Sequence, residues 1–362
     1  MPLITSADAY LVDIPVETER TDAVQAFLKQ ETIFVELATD DGLRGTGYSY
    51  TIGTGGRAVL SMLRDHLLPR LVGADARNVE GLWRDLFAST RATTVGAITS
   101  LALAAADTAL WDLRCLRAGE PLWRLAGGHR RSVPLYDTEG GWLHLSVADL
   151  VEGALGAKRA GLRGVKIKIG KPRVEEDVER VAAVREALGP GLDLMVDANQ
   201  SMTYAEARQR AHALEPYGVH FFEEPLPADD VQGHRELARS TSIPIAVGES
   251  MYSLGQFRDY LQRGAASVVQ ADVARIGGIT PWLKAAHLAE AFNVAVCPHF
   301  LMELHVSLVA AVPAGTYVEH IPQLRAVTST ELTVEDGHAV APDTPGLGLD
   351  WNRDAIDDLR VS

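Results

Sequence analysis

The chain has 362 residues, 47% hydrophobic and 23% charged, with a formal net charge of −14 from 34 basic and 48 acidic residues. That length predicts two or three domains, and the composition is that of a globular protein, which excludes disorder, collagen or coiled coil as the main architecture. So acidic a chain has no basic excess to neutralise phosphates, so neither nucleic acid nor an anionic membrane is expected as a partner. Two cysteines, Cys115 and Cys297, cannot form a disulfide framework. Both lie in apolar or helical patterns and read as buried thiols of a reducing compartment, most simply the cytoplasm. The opening residues show neither a basic region nor a long apolar one, so no signal peptide is expected. The longest apolar stretch, residues 97–111, is short of a membrane span and contains Asp107.

In chain order, residues 9–15, 32–39 and 45–50 are β-rich runs separated by turn signals such as Asp40-Asp41-Gly42. Helical periodicity follows over residues 57–71, 79–87 and 98–117. Strands followed by helices predict an α+β unit over residues 1–125. Beyond Arg131 short apolar runs alternate with amphipathic stretches. The runs are residues 133–136, 164–169, 192–196, 219–222, 243–247, 267–269, 293–296 and 316–318. Eight such units predict a parallel α/β barrel over residues 126–320. An open doubly wound sheet is the rival. It fits less well, because no G-x-G-x-x-G turn follows the first strand of the unit, and Gly53-Thr54-Gly55-Gly56 lies elsewhere with the wrong spacing. The tail, residues 321–362, is turn-rich without an apolar core of its own and is expected to pack back on another domain.

Ionisable residues close successive strand candidates: Lys166 and Lys168, then Asp197, Glu223, Glu249, Asp272, His299 and Glu319. From Asp197 onward the spacings are 26, 26, 23, 27 and 20 residues, each about one βα unit. A barrel gathers the C-terminal ends of its strands at one mouth, where such folds keep their active sites. One acid after a strand is ordinarily a helix cap; a run of consecutive strand ends is not. Clustered acids repel unless a cation lies among them, and Asp197, Glu223 and Glu249 are hard oxygen donors that suit Mg²⁺ better than zinc. Lys166 and Lys168 share one face of their strand, and like charge from each other and from a nearby cation is expected to lower a lysine toward the range of a base. His299 is the second candidate base, with Asp272 placed to accept its Nδ1–H.

These segments together resemble a known family. Lys166-Ile167-Lys168, Asp197-Ala198-Asn199-Gln200, Glu223-Glu224-Pro225, Gly248-Glu249-Ser250, Asp272 with Gly277-Gly278-Ile279-Thr280, and Pro298-His299-Phe300 are similar to the enolase superfamily, mandelate racemase subgroup. Residues 104–112 resemble its capping domain, so the likeness spans nearly the whole chain. The resemblance implies a (β/α)7β barrel with an α+β cap built from both chain ends, and a symmetric homo-oligomer. It implies Mg²⁺ on Asp197, Glu223 and Glu249, with Lys168 and the Asp272-oriented His299 as acid/base groups on opposite faces of a substrate carbon. Lys166 would assist Lys168 and the substrate carboxylate, a protonated Glu319 would donate to the oxygen that becomes the enolate, and Asn199 would line the site. Glu224 is left as structural. Such groups stabilise an enediolate more than the ground state, which is the condition for catalysis.

Both bases are present, so the sequence permits dehydration of an acid sugar or racemisation of a 2-hydroxy acid. The cap favours dehydration. Its first loop is polar, and the stretch through Tyr48 and Tyr50 resembles that of acid-sugar dehydratases acting on galactarate and talarate. Arg20 and Lys29 are candidates to meet a distal carboxylate, and Tyr48 and Tyr50 to meet hydroxyls. One stretch departs from the mandelate enzymes: Glu139-Gly140-Gly141-Trp142-Leu143-His144, leaving the first barrel strand at the mouth. Trp142 and His144 are therefore further candidates for substrate contact. A Schiff-base aldolase using a strand-end lysine, and a metal-binding scaffold without activity, are the rivals from other classes.

Overall fold

A computed structural model of the chain describes residues 1–361. The first layer is an antiparallel sheet of β1 (Ile4–Ile14), β2 (Gln30–Thr39) and β3 (Arg44–Thr51), in that order. Against it pack α1 (Gly56–Met62), which runs through a π turn (Leu63–Leu67) into α2 (Leu68–Leu71), then α3 (Val79–Ser89) and α4 (Ala97–Ala118). Helix α4 lies directly on β3. That approach needs glycine, because a Cβ on Gly47 would sit 2.2 Å from the Ala109 nitrogen. Gly119, in the left-handed region at φ 67°, closes α4.

A short helix, α5 (Leu122–Leu125), leads to the second sheet. Its parallel strands are β4 (Ser132–Asp137), β5 (Gly164–Lys168), β6 (Asp193–Asp197), β7 (Val219–Glu223), β8 (Ile245–Val247), β9 (Val268–Val269), β10 (Ala295–Val296) and β11 (Val318–His320). Strands β4 to β10 pair in chain order, and β11 returns to pair with β4. A parallel bridge between Val296 and Gly315 closes the ring. The connecting helices are α6 (Val147–Arg159), α7 (Val174–Leu188), α8 (Tyr204–Leu214), α9 (Val231–Ser240), α10 (Leu254–Arg263), α11 (Ile279–Ala291) and α12 (Met302–Ala311). Eight strands and seven helices make a (β/α)7β barrel beside an α+β cap. Strands covered by helices are buried on both faces, which is why they read as short continuous apolar runs. Tyr136, Met195, Phe221, Ala246, Val268 and Cys297 fill the barrel interior as a cluster of their own.

The tail touches both layers. Strands β12 (Val334–Glu335) and β13 (His338–Val340) form a hairpin whose second strand pairs antiparallel with the start of β4. Helix α13 (Arg353–Leu359) then runs to β1, where the Val361 N–H donates to the Leu11 carbonyl at 2.9 Å. Among the described residues no helix is long and apolar enough to cross a membrane.

Cap and barrel are joined by a buried polar contact. Asp107 of α4 accepts from the Thr280 N–H at 2.8 Å and from its hydroxyl at 2.7 Å, at the first turn of α11. The Trp111 indole N–H donates to the same hydroxyl at 2.9 Å. Burial pushes the Asp107 carboxyl up to about 7, against the pull of the Thr280 hydrogen bonds. Asp107→Ala leaves those donors unpaired in a dry joint and is expected to destabilise the fold by about 1–3 kcal/mol. A lower thermal midpoint checks this, with Asp107→Asn, which keeps one acceptor, losing less.

Candidate active site

The mouth of the barrel collects the ends of β5 to β11. Lys166 and Lys168 on β5 point to the same side, because side chains alternate along a strand. The Lys166 ammonium lies 2.8 Å from Glu223, 2.8 Å from Glu319 and 3.7 Å from Asp197, and is fully buried. It sits 5.5 Å from the centre of the Tyr136 ring. Lys168 pairs with Asp197 and lies 5.4 Å from the centre of the Trp142 ring. Burial works to lower both lysines, but the facing carboxylates outweigh it. The Glu223 and Glu319 charges hold Lys166 well above its ordinary value, and Asp197 holds Lys168 above its own. The lowering expected from sequence calls for a cation on the acids as well as the second lysine; facing the carboxylates alone, both lysines are held up.

Asp197, Glu223 and Glu249 each offer an oxygen within 4.8 Å of the others, and all three are buried. Glu223 Oε1 and Glu249 Oε2 have no hydrogen-bond partner among the described residues. Burial and the Asp197 charge push Glu223 well above the usual carboxylate range. Three converging hard oxygens with unpaired lone pairs in a buried pocket fit a small divalent cation. The Asn199 N–H fixes the remaining oxygen of Asp197 at 2.9 Å, from a backbone turned into the left-handed region at φ 43°. Glu224 faces away from the triad's work. Its carboxylate accepts from Gln200 at 2.8 Å and from Ser250 at 3.4 Å.

Across the mouth, His299 Nδ1 lies 2.9 Å from Asp272 Oδ2. Its Nε2 lies 3.3 Å from Glu249 Oε2, without hydrogen-bond alignment. Asp272 also accepts from the Tyr50 hydroxyl at 2.6 Å and from the Ala274 and Arg275 N–H groups at 2.8 and 3.1 Å. Burial would raise its carboxyl, but the hydrogen bond and charge of His299 bring it down to about 2. Asp272 is thus an anchored anion that orients the imidazole. Glu319 accepts from Thr138 at 2.7 Å, from the Phe300 N–H at 2.8 Å and from Lys166. Burial opposes ionisation there, yet the Lys166 and His299 charges hold the carboxyl well below its usual range. In this structure Glu319 accepts from all three neighbours; the donor role that the resemblance implies concerns its protonated form.

A small cavity lies over these groups, and Trp142 and Asn199 line it with Lys168, Glu249, His299 and Glu319. The other cap candidates are elsewhere. Arg20 is held by Glu139 at 2.6 Å, by Gln323 at 3.1 Å and by the Pro322 carbonyl at 3.0 Å. Lys29 is paired with Asp13 and Glu31 at 3.1 and 3.2 Å and is half exposed. Tyr48 packs on Phe34 and edge-on against Trp351 of the tail. Tyr50 shares the sheet face of Tyr48 but lies two residues further along β3, where it stacks on Phe300 and reaches Asp272 rather than the cavity. His144 Nδ1 meets the Thr21 hydroxyl at 2.8 Å.

The divergent 139–144 loop therefore serves the structure by clamping the first cap loop. Glu139 holds Arg20, Leu143 N–H donates to the Thr21 carbonyl at 3.0 Å, and Trp142 meets Phe27 with ring centres 5.5 Å apart. Gly141 allows this, since a Cβ there would sit 1.9 Å from the Lys166 carbonyl oxygen. The clamp delivers Asp22, Gln25 and Phe27 to the cavity, and Arg275 enters from the loop after β9, 3.3 Å from Glu249. Sequence reasoning missed these four. Arg275 had a signal, a lone charge between Asp272 and the Gly277-Gly278 pair. The loop residues had none beyond being polar.

Residues 149–355 match the family model "Enolase C-terminal domain-like", and residues 6–127 match "Mandelate racemase / muconate lactonizing enzyme, N-terminal domain". The chain belongs to the mandelate racemase/muconate lactonizing enzyme family of the enolase superfamily. It is 40% identical over 347 residues to 3,6-anhydro-alpha-L-galactonate cycloisomerase of Streptomyces coelicolor, covering 95% of this chain and 96% of that one. It is 34% identical over 351 residues to L-talarate/galactarate dehydratase of Salmonella typhimurium, covering 95% and 88%. A crystal structure of that dehydratase, liganded with Mg and L-lyxarohydroxamate, superposes with a TM-score of 0.95 at 32% identity, covering 100% of this chain and 93% of the other.

For a family member with a capped mouth, the clamp sets how well the cap loop is seated. Glu139→Ala unpairs Arg20 and is expected to speed amide hydrogen exchange across residues 20–27 while leaving the barrel strands protected. It is expected to lower kcat/KM by ~10-fold or more through misplacement of the loop. Unchanged exchange in that loop would mean that the ion pair does not seat it.

Proposed function

We propose that this protein is a Mg²⁺-dependent lyase that removes the α-proton of an acid sugar and expels its β-oxygen, giving a 2-keto-3-deoxy acid. The observation that carries this reading is the placement of two acid/base groups at opposite ends of one carboxylate triad. Lys168 touches Asp197 at one end, and His299 lies against Glu249 at the other. Asp197, Glu223 and Glu249 would hold the cation, which supplies positive charge to the substrate carboxylate as a second negative charge develops there.

The rest falls to the chain's own side chains. Depending on the configuration at C2, Lys168 or His299 takes the α-proton, and Asp272 keeps the imidazole in the tautomer that presents Nε2. Lys166, buried and held charged by Glu223 and Glu319, faces the carboxylate oxygens and favours the enediolate over the ground state. The group on the far side gives a proton to the departing β-oxygen, and the enol left behind ketonises. In an open-chain acid sugar that oxygen leaves as water. In a 3,6-anhydro acid it is the ring ether, so the same elimination opens the ring without losing atoms. One site thereby suits the chemistry of both relatives' names.

Chelation with EDTA is expected to abolish turnover and added Mg²⁺ to restore it. Lys168→Ala and His299→Ala are each expected to lose at least ~10²-fold in kcat. The assay is keto-acid formation read with semicarbazide across a panel of acid sugars. Activity indifferent to metal, or a borohydride-trapped adduct on Lys168, would refute the mechanism. Deuterium incorporation at C2 with inversion and no keto acid would make the enzyme a racemase instead.

A further inference from the structure

We propose that Asp22 makes this enzyme selective for monocarboxylates, so that the substrate end remote from the triad carries a hydroxyl and not a second carboxylate. This rests on the reaction proposed above and adds the class of acid to it. Asp22 is 9% exposed and lines the cavity from the cap side. Its Oδ1 accepts from the N–H groups of Val24 and Gln25 at 2.7 and 2.8 Å, and its own N–H donates to the Gln25 carbonyl at 3.1 Å. Those bonds lock the turn. Both side-chain bonds go to Oδ1 and none among the described residues to Oδ2, so one oxygen of a cavity-lining residue is left to accept from a ligand. Such an oxygen accepts from a sugar hydroxyl; burial raises the Asp22 carboxyl, and the Lys168 charge and the two N–H donors oppose that rise.

The cations point the same way. Those lining the cavity are Lys168, His299 and Arg275, and each already faces an anion: Asp197, Asp272 and Glu249. From the cap come Asp22, Gln25, Phe27 and Ile52, with no positive charge among them. Arg20 and Lys29, the loop cations that a diacid would need, are engaged by Glu139 and by Asp13 with Glu31. A second substrate carboxylate would therefore meet the Asp22 carboxyl on a side of the cavity to which the cap brings no cation, an arrangement that disfavours it.

The test compares matched acids, galactonate with galactarate and gluconate with glucarate, on the Mg²⁺-loaded enzyme. Keto acid is read with semicarbazide and α-proton exchange by NMR in D₂O. In any pair that reacts, wild type is expected to favour the monoacid in kcat/KM by at least ~10-fold. Asp22→Asn keeps an acceptor for the turn and is expected to narrow that ratio by ~10-fold. A diacid preferred by wild type, or a ratio unmoved in Asp22→Asn at an unchanged thermal midpoint, overturns the proposal and leaves the lyase reading standing. If Asp22→Asn does not fold, the wild-type ratio alone decides. Neither exchange nor keto acid from any of the four acids counts against the reaction itself, and this inference falls with it.

Discussion

Asp197, Glu223, Glu249 and Glu319 are buried in one barrel mouth, and the repulsion among them is the constraint that the surrounding structure answers. Four carboxylates out of water, with Asp272 close behind, would not stay ionised alone. The chain meets them with Lys166, Lys168, Arg275 and His299, each within ion-pair distance of at least one acid. The balance is uneven. Burial opposes the Glu249 charge, yet His299 and Arg275 bring its carboxyl down to about 2. Glu223, next to Asp197 and more deeply enclosed, is driven the other way. Positive charge is in deficit at the centre, where the three ligand oxygens converge and Glu223 Oε1 and Glu249 Oε2 find no hydrogen-bond partner among the described residues.

Charges balanced this finely need water kept out, and that makes the cap part of the chemistry. Its sheet is fixed to the barrel at three places far apart in sequence. Asp107 closes the α4–α11 joint, the tail returns α13 to β1, and the loop after β4 grips residues 20–27. Tyr50 carries the linkage inward. It belongs to the cap sheet, yet its hydroxyl is bonded to the carboxylate that orients His299. Seating the cap and aiming the base are therefore one event.

The barrel was legible in the sequence because its physics is local and periodic. A strand covered on both faces must be apolar, and the residue that ends it points into the mouth. All eight runs, and the ionisable site residue that follows six of them, recur at the βα period. The cap loops were not legible, because no period governs where a loop side chain lands. Lys29 sits one residue before β2 and is captured by Asp13 across the sheet, a pairing set by strand register. Tyr48 and Tyr50 look equivalent from alternation, but two residues of strand separate a ring covered by Trp351 from one that reaches Asp272. The lysines divide the other way. Their position was readable, whereas their basicity depends on how many acids converge on them, and only folding reveals that.

The division between strand ends and cap loop also says where change is tolerated. Strand-end groups are placed by the ladder itself, so altering one alters the reaction. The 20–27 loop owes its position to Arg20, Thr21 and Phe27, none of which supplies the free oxygen that Asp22 leaves beside the cavity. Holding the loop and reading the ligand thus fall to different side chains within one short turn. Asp22 belongs to both, through one oxygen each, so a replacement that keeps only the turn-capping oxygen separates them. On the selectivity proposed for Asp22, a fold built this way would exchange the class of acid it accepts at a single position, while the strand-end groups of β5 to β11 stay where they are.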